Sequence, residues 1–486
     1  MAFAVGFMTN HPTPASELSV PVPTAHALAL FVRLSRLEAL AELLRRFGYL
    51  RCWSPGVTLM AMIPGHLIGR GSTLEKVLAL MRSGAGDALG RAGKKLSLLL
   101  QSCTSTSAYA RAGTRLPRCW LRRCLRAQAK DLRAMVTGWQ WHGMEVRVLD
   151  GTMITLRPFG RIPRRYRPHR NQHGECSWCQ MRVLACLCLG TGVILSLVIG
   201  SAADSEQARA VRLMLSGCCG GTPAAPATVL WMGDANFGVW RVVAASRQSG
   251  QHVLVRLTRT RARKLAGTTA LRPGLDQAVI RERSSHDQMD RGLAGAGVAG
   301  RLLVVRLERR GFRPSPWLLF TTVEDRSLTP AELAGLYVRR WEIELTFRSV
   351  KAHRGLGELR ARSPVMAKRE LLTGVLACNP VRGVMLLGSA THSVALSRLS
   401  FAKAQEELAW ALVIAGRGQG SAEAGGDWEA MILRVARGKV PRRRQPRPRE
   451  PRRKRHRRET FPPLRGDRTA ARLLAALADE TLTDKS

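Results

Sequence analysis

Three carboxylates occupy positions from which a folded chain could bring them together. Asp150 follows the strand pattern Val146–Leu149, Asp234 follows the strand pattern Thr228–Met232 and one glycine, and Glu344 lies in a long helical pattern. A carboxylate at the end of a rigid strand projects into a site, because the chain then turns away. Three like charges need cations, and hard oxygen ligands suit Mg²⁺. Two such ions about 3.5 to 4 Å apart would support an in-line displacement at phosphorus.

Simpler interpretations exist for some acidic residues of this region. Asp150 and Gly151 form a pair that is common in turns with no chemical role. Asp204 and Glu206 stand where a helix begins, so we interpret them as capping residues and not as ligands.

The helix that must position Glu344 is predicted over residues Thr329–Gly355. Thr329 can cap the first amides, Pro330 suits the first helical position, and Glu332 completes a capping box. Gly355 is a suitable C-terminal stop.

One edge of this helix carries polar side chains in register. At about 100° per residue, Tyr337, Arg340, Glu344 and Lys351 fall within one sector. A solvated flank beside a buried stripe would give the same pattern. The adjoining apolar stripe consists of Leu336, Ile343, Phe347 and Val350.

The charge of the chain indicates its class of partner. The 486 residues include 77 Lys and Arg against 35 Asp and Glu, a net charge of +42. The dense basic run 437–458 carries only part of this excess, so basicity extends through the fold. A polyanion is the expected partner, although a non-catalytic nucleic-acid-binding protein would be equally basic.

Cysteines and one apolar run each leave two interpretations. The chain starts without a secretory pattern, which predicts reduced cysteines in the cytoplasm. Cys176, Cys179 and His173 could begin a zinc site, but a second ligand pair is lacking unless Cys186 and Cys188 supply it; we expect packed thiols.

The uncharged run 183–203 is long enough for a membrane helix, but Gly-Thr-Gly in its middle favours a buried hairpin.

The order of patterns predicts an α/β protein with a helical N-terminal domain. Helical, basic patterns precede a strand, a hairpin, a helix, a second strand, a helix and a third strand. Pro117 interrupts the last N-terminal helical pattern, and a basic loop covers 161–170. The predicted domains are a helical DNA-binding domain (1–135), a first core part (136–258), a β-rich insertion (259–322), a second core part (323–415) and a basic, partly disordered tail (416–486).

The spacing Y-(2)-R-(3)-E-(6)-K of Tyr337, Arg340, Glu344 and Lys351 resembles the signature of the insertion-sequence-four family of bacterial DDE transposases. DGT at Asp150, GDANFG around Asp234, LRARSP after the helix and PWLLFTT before it resemble further motifs of this family. The resemblance covers roughly residues 100 to 385 and implies a ribonuclease-H-like catalytic core interrupted by the β-rich insertion.

The resemblance also implies an activity and its residues. Asp150, Asp234 and Glu344 would bind two Mg²⁺ ions, which Mn²⁺ can replace, and catalyse cut-and-paste transposition through a DNA hairpin. The partners would be duplex DNA with terminal inverted repeats, target DNA and a second copy of the chain, in the cytoplasm at the nucleoid. The implied DNA contacts are phosphate binding by Tyr337, Arg340 and Lys351, base stacking by Trp317, and a further contact by Arg348.

Two features depart from the family pattern. Ala235 and Asn236 stand where many relatives have Arg and Gly, and Pro380 falls in a segment that relatives carry as helix, where it predicts a kink or an early stop. The alternatives are a non-catalytic DNA-binding protein or decayed transposase that keeps the fold, and a nuclease or resolvase with the same core.

Overall fold

The computed structural model describes residues 53–440 apart from 54, 69–72, 86–95, 102–104, 137, 172–173, 217–227, 284–291, 294, 309–314, 354 and 416–420, together with 5–6, 463–464, 467 and 469–470. Several predictions lie outside the described residues. They concern the proline-rich start, the helical pattern of residues 28–47, the basic residues beyond 440, His173 and the side chain of Cys176.

The described residues ahead of the sheet are mainly helical, as the sequence predicts. Apolar side chains such as Trp120 and Leu121 are buried, whereas Arg118 and Arg122 on the same helix are exposed. Pro117 separates the last two helices, because proline supplies no amide for the preceding turn. These helices are α1 (Pro55–Ile68), α2 (Leu74–Leu80), α3 (Leu96–Gln101), α4 (Thr106–Arg115) and α5 (Arg118–Ala134).

A mixed α/β segment follows and confirms the predicted class. Its strands are rich in β-branched and aromatic residues, and both faces of the sheet are covered by helices. In chain order the elements are β1 (Glu145–Leu156), α6 (Ile162–Arg165), β2 (Pro168–Asn171), β3 (Gly174–Cys188), β4 (Ile194–Ser201), α7 (Glu206–Leu215), β5 (Val229–Gly233), α8 (Trp240–Gln248) and β6 (His252–Arg256).

The central strands pair in the order β4-β3-β1-β5-β6. The pairs β1–β3 and β3–β4 are antiparallel, whereas β1–β5 and β5–β6 are parallel. Side chains alternate between two cores: Val146 and Val148 pack in one, and Leu149 packs in the other. The sheet is therefore the middle layer between two sets of helices.

Residues 259–321 extend this sheet. Helix α9 (Arg259–Ala266) precedes β7 (Asp276–Glu282), β8 (Gly297–Glu308) and β9 (Ser315–Thr321). β9 pairs antiparallel with β6 and with β8, and β8 pairs antiparallel with β7. Trp317 on β9 is thereby brought beside the carboxyl end of β6.

The predicted helix Thr329–Gly355 forms in four consecutive parts. They are α10 (Pro330–Val338), a 3₁₀ turn (Arg339–Trp341), α11 (Glu342–Arg348) and a π-helical turn (Ser349–His353). The capping box of Thr329 and Glu332 is confirmed. Gly355 has a φ of +67°, which suits glycine after a helix.

After the short strand β10 (Glu358–Leu359), helix α12 (Pro364–Thr391) runs through the core. The predicted early stop at Pro380 is wrong, because the helix continues for eleven further residues. Proline cannot donate to the carbonyl oxygen of Leu376, and the side chain of Gln128 donates to that oxygen instead at 3.0 Å. The helix thus keeps its buried carbonyl satisfied. The last helices are α13 (Phe401–Ala415) and α14 (Ser421–Arg437).

The run 183–203 forms the antiparallel pair β3–β4, which confirms the hairpin and not the membrane helix. Helix α12 is long and apolar enough to cross a membrane, but 94% of its most apolar window is buried inside the protein. The buried core helices of soluble proteins can be equally long and apolar, so the length and composition of α12 alone are weak evidence of a membrane span.

Candidate active site

Asp150 lies within β1, and not at its end as predicted. The strand continues to Leu156 because β3 pairs with it over its whole second half, with Asp150 opposite Ala185. On the other side, β5 pairs only as far as Val148. Asp150 therefore projects from a rigid strand just beyond the end of its parallel neighbour, where the sheet leaves space.

The carboxylate of Asp150 is mostly buried, with 19% of its side chain exposed. Burial raises its pKa to about 6, and the charges of Asp234 and Glu344 add to this increase. Arg340 and the amide of Gly151, which donates to Oδ1 at 2.8 Å, oppose it. The shift is therefore mainly the cost of removing the Asp150 carboxylate from water.

Asp234 directly follows β5, as predicted, and is half-buried. Its Oδ1 accepts a hydrogen bond from the amide of Asn236 at 2.9 Å, which fixes a tight turn after the strand. A Cβ atom at Gly233 would lie 2.8 Å from Phe237, so the turn requires glycine there. Asp150 and Asp234 thus extend from adjacent parallel strands at the same edge of the sheet.

Glu344 lies on α11 with 58% of its side chain exposed, and Arg340 stands between it and Asp150. The Arg340 guanidinium donates from Nη2 to Oε1 of Glu344 at 2.9 Å. Its Nη1 lies 3.6 Å from Oδ2 of Asp150. The sequence predicted that Arg340 contacts DNA phosphate, whereas in this structure it neutralises two of the three carboxylates.

The donor set fits a divalent cation in its chemistry. All three candidate ligands offer carboxylate oxygens, which are the hard ligands that Mg²⁺ and similar cations prefer. Among the described residues, however, no group of three or more His, Cys, Asp or Glu side chains is close enough to hold a metal. Arg340 therefore occupies the region between the carboxylates that a cation would share.

Tyr337 is buried, whereas Glu344 on the same predicted edge is exposed. Only 2% of Tyr337 is exposed, and its hydroxyl donates to the carbonyl oxygen of Gly233 at 3.0 Å. Burial raises the pKa of this hydroxyl well above its ordinary value, and the charge of Arg340 opposes the increase. Arg340 therefore interacts with both Tyr337 and Glu344.

The remaining predicted DNA contacts lie at the margin of the site. The half-buried ring of Trp317 stands edge-on to Tyr337, with centroids 5.3 Å apart, and the guanidinium of Arg256 lies 5.6 Å from its centroid. Arg348 is exposed, whereas Lys351 is half-buried and burial lowers its pKa. Neither Arg348 nor Lys351 pairs with a carboxylate in the described part of the chain.

Sequence reasoning missed the residues that hold the Asp234 turn. Asn236 donates from Nδ2 to Glu206 at 2.9 Å, and Gln207 donates to both the side chain and the carbonyl oxygen of Asn236. Arg261 donates to the carbonyl oxygen of Ala235 at 2.6 Å. Asn236, which departs from the family pattern, therefore helps to hold the Asp234 turn in place. The only signal in the sequence was its polar side chain two residues after the strand-end aspartate.

Glu206 and Asp204 were interpreted as capping residues, but Ser205 caps α7 through its side chain. Glu206 packs directly behind the site, because a Cβ atom at Gly151 would lie 2.0 Å from its Oε1. Asp204 pairs with Arg209 and accepts from the amide of Ser201. Among the described cysteines, Cys124, Cys179, Cys186, Cys188 and Cys378 are buried thiols, Cys119 is an exposed thiol, and none of these six forms a disulfide.

A cavity of about 380 Å³ lies beside the Asp234 turn. Arg256, whose guanidinium stands over Trp317, contributes to its wall. Its other lining residues include Ala235, Leu257, Thr258, Arg259 and Leu318.

Residues 141–379 match the family model of the transposase DDE domain, and this span contains Asp150, Asp234 and Glu344. The match supports a DDE transposase that acts in DNA transposition. Among solved structures, the chain resembles the piggyBac transposase in a cryo-EM synaptic complex with hairpin DNA, with a TM-score of 0.41 and 10% identity over 85% of this chain and 86% of that chain. No curated protein matches the chain.

Proposed function

We propose that this protein is an insertion-sequence-four transposase that cuts DNA at the ends of its own element and joins the freed ends to target DNA. The observation that carries this proposal is the placement of Asp150 and Asp234 on adjacent parallel strands, with Glu344 linked to Asp150 through Arg340. The transposase domain match over the same residues supports it.

The proposed core is ribonuclease-H-like. Its five main strands pair in the spatial order third, second, first, fourth, fifth, with the first three antiparallel and the last two parallel to the first. We retain the domain boundaries predicted above, with residues 259–322 as a β-rich insertion that extends the sheet beyond β6.

In this proposal each residue at the site has a distinct role. Asp150, Asp234 and Glu344 would hold Mg²⁺ ions, which when bound activate the attacking oxygen and stabilise the leaving one. Asn236 and Tyr337 fix the backbone on both sides of Asp234. Arg340, released from the carboxylates, presents a guanidinium to the DNA phosphate, for which its planar donors are suited.

Cleavage through a DNA hairpin, with Trp317 stacking on an unpaired base, is part of the same proposal. The ring of Trp317 is half-buried and rests on Tyr337, so one part of it is fixed and the rest is accessible. Arg348 and Lys351, which have no carboxylate partners among the described residues, would add phosphate contacts. A second copy of the chain would complete the complex on terminal inverted repeats, in the cytoplasm at the nucleoid.

One observation favours a second candidate, a transposase-derived DNA-binding protein without catalysis. Arg340 fills the space between the carboxylates, and no metal-sized group of ligands forms among the described residues. In that case Arg340 would remain in place when Mg²⁺ is added. Cleavage assays separate the two candidates directly.

The test uses supercoiled plasmid that carries the DNA flanking the reading frame, with Mg²⁺ and the full chain. Asp150→Ala, Asp234→Ala and Glu344→Ala should each abolish cleavage while binding of the flanking DNA persists. Glu324→Ala is the matched control, because this exposed carboxylate pairs with Arg247 outside the site. Cleavage retained by any one of the three variants would remove that residue from the proposed site.

A further inference from the structure

A cluster of cations lies where α5, α6 and α12 come together, apart from the carboxylate site. Arg118 and Arg122 are exposed and one turn apart on α5, and Arg165 is exposed at the end of α6. Lys368 and Arg369 are half-buried in the second turn of α12. These five residues are called the α5–α12 cation cluster.

Two observations show that these residues are close together. Arg369 donates from Nε to the carbonyl oxygen of Leu116 at 2.6 Å, which ties α12 to the residue just before Pro117 and α5. Burial lowers the pKa of Lys368, and the charges of Arg118, Arg165 and Arg122 lower it further. Burial and Arg118 likewise lower the pKa of Arg369.

The cluster has no carboxylate partner. In the part of the chain that the structure describes, no ion pair involves Arg118, Arg122, Arg165 or Lys368. Glu370 follows the cluster in sequence, but its two oxygens accept from the backbone amides of Arg360 and Ala361 at 3.1 and 2.9 Å. By contrast, the exposed guanidinium of Arg157 pairs with Glu358 at 2.9 Å. An external anion that binds the cluster would therefore reduce the repulsion between its cations.

The arrangement suits an extended polyanion better than a single phosphate. The cations lie on three separate helices. Arg118 and Arg122, which are one turn apart on α5, are separated by about 6 Å along the helix axis. Arg164 and Arg161, also exposed, continue the basic surface along the loop before and within α6. Duplex DNA presents one negative charge per roughly 1.7 Å of helix axis, so one duplex could engage several of these groups.

We propose that the α5–α12 cation cluster binds the sugar-phosphate backbone of duplex DNA, as a second contact surface separate from Asp150, Asp234 and Glu344. This inference rests on the proposed function, because it takes DNA as the substrate of the site. It assigns Arg118, Arg122 and Arg165 to positioning DNA and not to reading its sequence.

The test measures binding of a 40-base-pair duplex of arbitrary sequence at several salt concentrations, in EDTA so that cleavage plays no part. The variant Arg118→Gln, Arg122→Gln, Arg165→Gln changes three exposed side chains on the full chain. Each lost phosphate contact lowers the slope of log K against log salt by about 0.9, so the expected decrease is about 2 to 3. The matched control is Arg247→Gln, Arg326→Gln, Lys403→Gln, three exposed cations that already have carboxylate partners.

An unchanged slope in the cluster variant, or an equal decrease in the control variant, would overturn the inference while leaving the proposed function intact. A wild-type chain that binds no duplex at all would instead contradict the proposed function. Vesicles containing phosphatidylserine provide a second arm, in which we expect no difference between the two variants. A selective loss on vesicles without a loss on DNA would assign the surface to a membrane.

Discussion

The hydroxyl of Tyr337 donates a hydrogen bond to the carbonyl oxygen of Gly233, 104 residues earlier in the chain. Gly233 is the last residue of β5, so this bond fixes the backbone from which Asp234 projects. The same tyrosine supports the ring of Trp317. Through Tyr337, helix α10 therefore positions Asp234, which we propose as a metal ligand, and Trp317, which we propose as a DNA contact.

Tyr337→Phe should test this positioning role. The variant keeps the ring but leaves a buried carbonyl oxygen without its donor, which costs about 1 to 3 kcal/mol. We expect lower thermal stability, and an equal slowing of first-strand nicking and of hairpin formation, because Asp234 serves both steps. Trp317→Ala is the comparison, since it should slow hairpin formation more than nicking. A Tyr337→Phe variant that loses only hairpin formation would contradict the role proposed here.

The pKa of Asp150 predicts a pH dependence of stability in the absence of divalent cations. Burial raises this pKa to about 6 in the folded protein, above its ordinary value of 3.8. Between these values the folded chain retains a proton that the unfolded chain loses. The free energy of unfolding should therefore decrease as pH rises from about 4 to about 6, and should be unaffected by Asp150 outside this window.

Asp150→Asn removes the buried charge, so in EDTA it should be more stable than the wild type at pH 8. The difference should disappear at about pH 3, below both pKa values, where the wild-type carboxyl group is mostly protonated in both states. Urea unfolding at the two pH values measures both quantities. An equal effect of the substitution at about pH 3 and at pH 8 would show that the charge of Asp150 is not the cause.

The side chains behind the Asp234 turn predict a graded series of variants. Glu206→Gln keeps an oxygen that can accept from Asn236, whereas Glu206→Ala removes it. Because partners that orient metal ligands typically matter 10- to 100-fold, we expect Glu206→Ala to lower Mg²⁺ affinity or cleavage by about that factor. Glu206→Gln should stay close to the wild type. Equal losses in both variants would indicate that the charge of Glu206 is needed, and not its hydrogen bond.

The features that were predictable from sequence are those fixed by neighbouring residues. Two predictions depend only on residues close together in the sequence, and both are confirmed. They are the capping box of Thr329 and Glu332 and the β3–β4 hairpin around Gly190-Thr191-Gly192. The position of Asp150 within its strand depends on β3, where its partner Ala185 lies 35 residues later in the chain. Local patterns cannot show how far such a pairing extends.

The candidate site shows the same difference between features set by neighbouring residues and features set by distant ones. Asp234 at the end of β5 was predictable because the strand and its glycine are adjacent in sequence. The burial of Tyr337 was not, because its partner Gly233 lies 104 residues earlier in the chain. Asn236 and Glu206 were missed for the same reason, since they meet only after α7 packs beside the turn.

A buried ion cluster at the start of β1 predicts a large effect on stability. Glu145 accepts from Arg133 at 2.6 Å and from Arg147 at 2.8 Å, and all three side chains are at most 5% exposed. Glu145→Ala leaves two buried guanidinium groups without this partner and should cost about 3 to 5 kcal/mol of unfolding free energy. Glu358→Ala, which breaks the exposed pair with Arg157, should cost at most about 1 kcal/mol. Comparable losses would contradict the burial argument.

Gln128 and Pro380 should be energetically coupled. Pro380 has no amide to donate to the carbonyl oxygen of Leu376, and Gln128 supplies the donor instead. Gln128→Ala should therefore cost about 1 to 3 kcal/mol in the wild-type background. In a Pro380→Ala background the helix regains its own amide, so the cost of Gln128→Ala should decrease by at least about 0.5 kcal/mol.

Gln405 provides the matched control for this cycle. It is also buried and donates to a backbone carbonyl, that of Leu67 at 2.8 Å, but has no link to Pro380. Gln405→Ala and Pro380→Ala should therefore be additive within about 0.3 to 0.5 kcal/mol. Unfolding in urea for the single and double variants gives both coupling energies. If Gln128 and Pro380 were additive as well, the glutamine would not be replacing the missing backbone donor.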